Sequence, residues 1–142
     1  MYPASRQPSF ALLLLAAWLV VVLQLVLQYW PETALTLNDT DDAMRLVQLR
    51  AFLAGQSWFD LHEARVQPPA GYDPHWSRLI DAGLAGLYLL FRPFADAAQA
   101  ERLMRAVWPL FWLLPAIAGA AAIAWRMAGR EAALIVLLFA AI

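Results

Sequence analysis

The sequence predicts an all-α membrane protein with three complete transmembrane helices, a truncated fourth, and a long outer loop carrying a surface amphipathic helix. Three observations carry this. The 142 residues are 63% apolar with a mean hydropathy of +0.57, against about 45–50% apolar in a soluble domain. The apolar residues lie in long runs, and the middles of those runs are free of charge.

Residues 9–30 hold no charge, and only Gln24 and Gln28 interrupt them. At about 1.5 Å per residue such a helix crosses a hydrocarbon core of about 30 Å. A cleaved signal peptide would show a shorter apolar stretch, about 7–15 residues, ending in a small-x-small site; Gln28-Tyr29-Trp30-Pro31-Glu32 offers none. Residues 79–94 read as a second span with Asp81 and Arg92 at its two interfaces, the arginine snorkelling. Residues 106–125 read as a third, with Pro109 and Pro115 inside it and a kink expected at the latter. Residues 132–142 are wholly apolar but reach only about half a bilayer, so the chain reads as cut within a fourth span. Residues 1–142 thus read as a single membrane domain.

Arginine in short flanks sets orientation. Arg6 precedes the first span, and Arg92, Arg102 and Arg105 crowd the link between the second and third. Both places are expected to face the cytoplasm, which puts loop 31–78 outside, in a periplasm or its equivalent. Its seven acids and four arginines, a net charge of −3, fit that side, while Arg126 and Arg130 dissent. Tyr29, Trp30 and Trp76 would mark the outer interface and Trp108 the inner one.

Within the loop, residues 39–54 read as one helix. Asp39 is its N-cap, with Asp42 three residues on as a variant capping box. Leu46, Leu49 and Leu53 form an apolar stripe with Val47 and Phe52 beside it, Gly55 supplies the C′ position, and Asp41 and Arg45 stand at i,i+4. Beyond it, Pro68, Pro69, Gly71 and Pro74 forbid a regular helix. Trp58, Phe59, Tyr72 and Trp76 argue that this stretch is ordered.

Candidate chemistry concentrates at Asn38-Asp39-Thr40-Asp41-Asp42. The helix dipole favours one or two acids at a helix start by about 0.3–1 kcal/mol each, with no chemistry needed. Three within four positions exceed capping, and two readings stand: capping alone, or a catalytic role for Asp39, Asp41 and Asp42 with Asp39 and Asp41 holding a divalent cation, Mg or Mn. His62 and His75, each two residues after an aspartate, could complete such a site or be surface hydrogen-bonding residues. Arg45, Arg50, Arg65 and Arg78 could fork onto phosphate or form salt bridges. Arg78, beside Trp76 at the start of a span, is the one best placed for a lipid phosphate. The absence of cysteine excludes disulfides and thiolate chemistry, and a net charge of −1 offers no field to recruit nucleic acid.

With these elements placed, the chain resembles the amino-terminal part of GT-C superfamily membrane glycosyltransferases, which include the catalytic subunit of oligosaccharyltransferase, protein mannosyltransferases and bacterial aminoarabinose transferases. In them a first span leads to a long outer loop that opens on an acidic motif and carries surface helices. Asp39-Thr40-Asp41 is similar to their Asp-x-Asp form, and Asp41-Asp42-Ala43-Met44-Arg45 to their Asp-Glu-Ala-Arg-Tyr form. Arg50 followed by Gly55-Gln56-Ser57-Trp58 resembles their helix end and Gly-x-Trp stretch, and Pro68-Pro69 through Pro74-His75-Trp76 their Pro-rich return.

The resemblance covers most of residues 9–94. It implies sugar transfer from a polyprenyl-phosphate-linked donor on the non-cytoplasmic side of a bacterial inner membrane, with loop 31–78 periplasmic. Asp39, Asp41 and Asp42 would be catalytic, and Arg45, Arg78, Trp76 and His75 would contact the donor; the acceptor is left open. Family members have more spans and a second acidic loop, so the chain reads as an amino-terminal fragment that is incomplete alone. The alternative is a non-catalytic small membrane protein whose outer loop binds a lipid or a protein partner. A transporter fragment is disfavoured, because the spans lack ionisable residues at their centres.

Overall fold

The computed structural model describes residues 8–34, 37 and 39–141; Arg6, Asn38 and Ile142, which entered the reading above, lie outside them. The described chain is all-α: α1 (Phe10–Tyr29), a short 3-10 turn (Glu32–Ala34), α2 (Thr40–Leu53), α3 (Arg78–Phe91) and α4 (Ala97–Ala140). Extended pairing among the described residues is limited to one antiparallel bridge, Glu63 to Tyr72. Two compact units result, Met1–Pro31 with Pro109–Ile142, and Glu32–Trp108; α4 contributes to both.

In the first unit, Ser9 caps α1 by accepting from the Leu12 amide at 3.3 Å. Ala17, Ile117, Ala121, Ala133 and Leu137 form its core, with Leu13, Trp18, Leu113 and Leu134 packed around them. The small residues let helices approach closely. The helical dihedrals of α4 fail at one place, Gly129 (φ 83, ψ −172), a region open to glycine and costly for other residues. Here the helix doubles back. Before it, Leu110 accepts from the Trp18 indole at 3.1 Å and Trp125 meets the Phe10 ring edge-on, so this stretch runs antiparallel to α1. After it, Arg130 donates to the Pro8 carbonyl and Gln24 to the Ala141 carbonyl, so that segment runs parallel to α1. Third and fourth apolar segments therefore exist where charge patterning puts them, with the break between them at Gly129, and both prolines sit within helix as expected.

Two helices, α1 and α4, are long and apolar enough to cross a membrane. The most apolar window of α1 is 0% buried and that of α4 is 11% buried, unlike the core helix of a soluble domain. Leu12, Leu23, Leu27, Phe111, Ile123, Leu138 and Phe139 all face outward. That much exposed apolar surface is consistent with membrane association.

The second unit departs most from expectation. α2 begins and ends where its caps predict: Asp39 accepts from the Asp42 amide at 2.8 Å, and Gly55 takes φ 102 after the Ala54 C-cap. Its apolar stripe does not lie on a bilayer, however. Leu46 and Leu49 are buried against Leu84 and Ala85 of α3 and Met104 of α4, with Phe52, Leu53 and Trp108 around them. Trp108, expected at a membrane interface, packs so closely on Gly83 that a Cβ there would lie 2.5 Å from its ring.

Residues 79–94 do not separate loop 31–78 from the arginines beyond them. α3 has 14 residues, about 21 Å of helix, and is not among the helices long enough to span. Arg50 of α2 forms a two-pronged ion pair with Glu101, at 2.9 and 2.8 Å. Arg102 donates to the Thr33 hydroxyl at 2.8 Å and Arg105 to the Thr33 carbonyl at 2.7 Å. Glu101, Arg102 and Arg105 thus belong to the same body as the loop and cannot report the opposite face of a bilayer. The expected second span is thus a 14-residue helix packed within the loop unit. Since the chain has no native cysteine, Ser57→Cys and Ala98→Cys, both at exposed positions, are expected to react with an impermeant maleimide from the same side of sealed vesicles. Labelling from opposite sides would restore the second span.

Candidate functional site

The acidic cluster divides into two kinds of carboxylate. Asp39 is committed to capping: its Oδ1 accepts the Asp42 amide, and its extended backbone (φ −153, ψ −176) lies outside the helix. Asp41 and Asp42 occupy the first turn of α2 with exposed side chains and no hydrogen-bond or ion-pair partner among the described residues. The helix dipole favours negative charge there; Asp39 uses one carboxylate oxygen in its cap, whereas Asp41 and Asp42 use neither.

One turn further along α2, Arg45 does not pair with Asp41 as its spacing suggests. Its Nη1 donates to Asp81 Oδ1 on α3 at 2.9 Å, and its guanidinium lies 4.3 Å from the centre of the Trp76 ring. Asp81 is fully buried and accepts a second guanidinium, Arg78 Nη1, on Oδ2 at 3.0 Å. Arg78 also donates to the Gln48 side-chain carbonyl at 3.2 Å, to the Gln56 side-chain carbonyl at 2.7 Å and to the Asp60 backbone carbonyl. Gln48 in turn donates to the Leu61 carbonyl at 2.9 Å. The Phe52 ring lies 5.2 Å from the Arg78 guanidinium.

Two expectations change here. Asp81 is not an interfacial residue at the end of a span; it is the buried centre of an ion-pair network. Arg78 is 4% exposed; its Nη1 and Nη2 are engaged while its buried Nε has no hydrogen-bond partner among the described residues, and the side chain ties α2, the following loop and α3 together. The structure brings together Arg45, Trp76 and Arg78 of the expected set, with Asp41 and Asp42 a turn away on the same helix. His75 is exposed beside Trp76 in sequence. Gln48 and Gln56 escaped sequence reasoning; the one available signal was a glutamine between Leu46 and Leu49, on the face that should be apolar.

The metal expectation is overturned. Among the described residues no three His, Cys, Asp or Glu side chains are grouped so as to hold a metal ion. Asp39 is turned to its cap, and His62 Nδ1 lies 3.0 Å from Asp73 Oδ1 in a separate loop contact, its ring against Gly71. Neither Asp39 with Asp41 nor the histidines assemble a ligand set for Mg or Mn.

The turn-rich stretch is nonetheless ordered by polar contacts. Glu63 and Tyr72 exchange backbone hydrogen bonds at 2.9 and 3.2 Å, and Gln56 donates to the His62 carbonyl at 3.0 Å. The Arg65 side chain hydrogen-bonds Glu63 at 2.9 Å and holds its carboxyl below the ordinary carboxylate range; the Arg65 amide and positive charge act in the same direction.

No protein-family model matches the chain, and neither a curated protein nor a solved structure matches it.

Two outcomes follow from these contacts. Asp81→Ala leaves the Arg78 cation buried without its counter-ion, and breaking a buried pair in this way costs about 3–5 kcal/mol; thermal unfolding of the detergent-solubilised protein should show a large drop. Because the Glu63 carboxyl is depressed in the folded state, its contribution is fully present above the unfolded-state value near about 4.3 and is lost as pH falls through the lower folded value. The protection of the Tyr72 amide, the slowing of its exchange relative to that of an unfolded peptide at the same pH, should therefore fall in acid below about pH 4, and Glu63→Gln should remove that fall.

Proposed function

We propose that the chain supplies the first span and acidic loop of a GT-C-type membrane glycosyltransferase, which transfers a sugar from a polyprenyl-phosphate-linked donor on the non-cytoplasmic side. The observation that carries this is the start of α2: two exposed carboxylates, Asp41 and Asp42, unpaired among the described residues and one turn from an arginine anchored by a buried partner. The order of elements supports it too. The resemblance implies a first span, a loop opening on an acidic motif and carrying surface helices, and then further spans. In this order α1 is the first span, α2 and α3 are the loop helices, and α4 on either side of Gly129 supplies the later apolar segments.

In this reading Asp41 or Asp42 accepts the proton of the acceptor nucleophile as it attacks the anomeric carbon. Arg45 stabilises the negative charge that collects on the departing phosphate. Orientation follows from arginine: Arg130 bonds to the Pro8 carbonyl where α1 begins, and Arg126 lies one turn earlier. By the arginine rule that end faces the cytoplasm, and residues 32 onward emerge on the other side after one crossing. A donor with a lipid tail suits a chain with this much outward apolar surface.

The test is transfer of labelled sugar from a polyprenyl-phosphate donor in membranes holding a full-length enzyme that carries this chain. Asp41→Asn and Asp42→Asn are made separately, and the one that removes the base should lower the rate about 10²–10⁴-fold while expression and membrane insertion stay unchanged. Full activity in both variants would leave α2 with capping aspartates only and favour a non-catalytic loop that binds a lipid or a protein partner.

A further inference from the structure

We infer that Asp81 is a positioning residue, which aims Arg45 at a phosphate oxyanion by sharing one buried carboxylate between two guanidiniums. The inference rests on the proposed role of Arg45 at the donor phosphate and extends it to a residue that no acidic or basic motif in the sequence singles out.

Charge and burial make the argument. The cluster holds two guanidinium cations and one carboxylate, and Asp81 uses both oxygens, Oδ1 on Arg45 and Oδ2 on Arg78. Asp81 therefore offsets only one of the two guanidiniums it holds, and the other carboxylates near Arg45, Asp41 and Asp42, make no ion pair with it among the described residues. The Asp81 side chain is 0% exposed and that of Arg78 is 2% exposed, whereas Arg45 is 20% exposed. Arg78 is sealed, so the excess cation opens outward at Arg45. Arg45 gives its protein partners only Nη1 and one face, Nη1 to Asp81 and the face to Trp76. Its Nε and Nη2 have no partner among the described residues, and together they form the edge that engages phosphate in a two-pronged contact.

An arginine held at both ends in this way loses little side-chain freedom when an anion arrives. A carboxylate bonded to Arg45 alone would neutralise it; one shared with Arg78 fixes its direction and leaves its charge. Asp41 and Asp42 lie a turn earlier on the same helix, about 5.4 Å along its axis, so an anion on Arg45 would bring its ester end close to them.

Binding, separate from transfer, tests this. The full chain in detergent is titrated with farnesyl phosphate, with farnesol and with inorganic phosphate. Farnesyl phosphate should bind at least about tenfold tighter than farnesol, as a charge-assisted two-pronged contact would give. Arg45→Gln and Asp81→Asn should each abolish that preference, and the two together should do no more than Arg45→Gln alone, since residues acting as a unit are non-additive. Arg45→Lys, which keeps charge but lacks the fork, should restore only part of it.

If Asp81→Asn fails to fold because Arg78 is stranded, Asp81→Asn with Arg78→Met removes the stranded cation and carries the same expectation. A folded Asp81 variant that keeps the full preference overturns the inference, as does an Arg45→Gln protein that keeps it. Equal affinity for inorganic and farnesyl phosphate would sink the lipid-linked donor while leaving the role of Asp81 intact. Phosphate preference lost as expected, with no sugar transfer by a full-length enzyme carrying this chain, would sink the transferase reading alone.

Discussion

A single carboxylate organises residues 32–108. Asp81 is fully buried, and an isolated ionised carboxyl in that place would be costly enough to be driven neutral or outward. It stays because two arginines reach it from different directions, Arg45 from α2 and Arg78 from its own helix one turn back. Arg78 in turn gathers Gln48, Gln56 and the Asp60 carbonyl, so α2, the turn after it and the start of α3 converge on one point. Leu46, Leu49, Leu84, Ala85 and Met104 pack beside that point and supply the apolar burial. The polar contacts fix which faces meet; the apolar ones supply most of the driving force.

Local signals read well. The bounds of α2 follow from Asp39 and Gly55, because capping and left-handed geometry depend on residues within a turn or two. α1 follows from its length and lack of charge, and the two apolar stretches of α4 from the charges between them. Where reasoning failed, the deciding contact was distant in sequence. Residues 79–94 look like a short span until Asp81 is seen to meet Arg45, 36 residues away. Arg102 and Arg105 look like cytoplasmic anchors until Thr33 is found accepting from both, 69 and 72 residues away. Periodicity records that a helix has an apolar face but not whether lipid or protein covers it, which is why the stripe of α2 was given to the wrong partner.

The site was legible in part for the same reason. That acids at a helix start would divide into a cap and free carboxylates follows from capping geometry. That Arg45 would turn away from Asp41 does not, since a pairing four residues apart is worth only about 0.2–0.5 kcal/mol and yields to a buried alternative. Arg78 shows the opposite error: its place beside Trp76 resembled an interfacial anchor, yet its fork is enclosed by glutamines and a carbonyl. The proline-rich stretch, read only as ordered, owes that order to a two-residue bridge, the Glu63–Arg65 pair and the contact of His62 with Asp73.

The turn at Gly129 bears on how so long a helix can be accommodated. A straight helix of 44 residues would measure about 66 Å, roughly twice the thickness of a hydrocarbon slab. By folding back there, the chain turns surplus length into a second apolar layer against α1 at a single backbone position. That position has little tolerance for replacement, because any side chain would have to adopt dihedrals that glycine alone reaches cheaply.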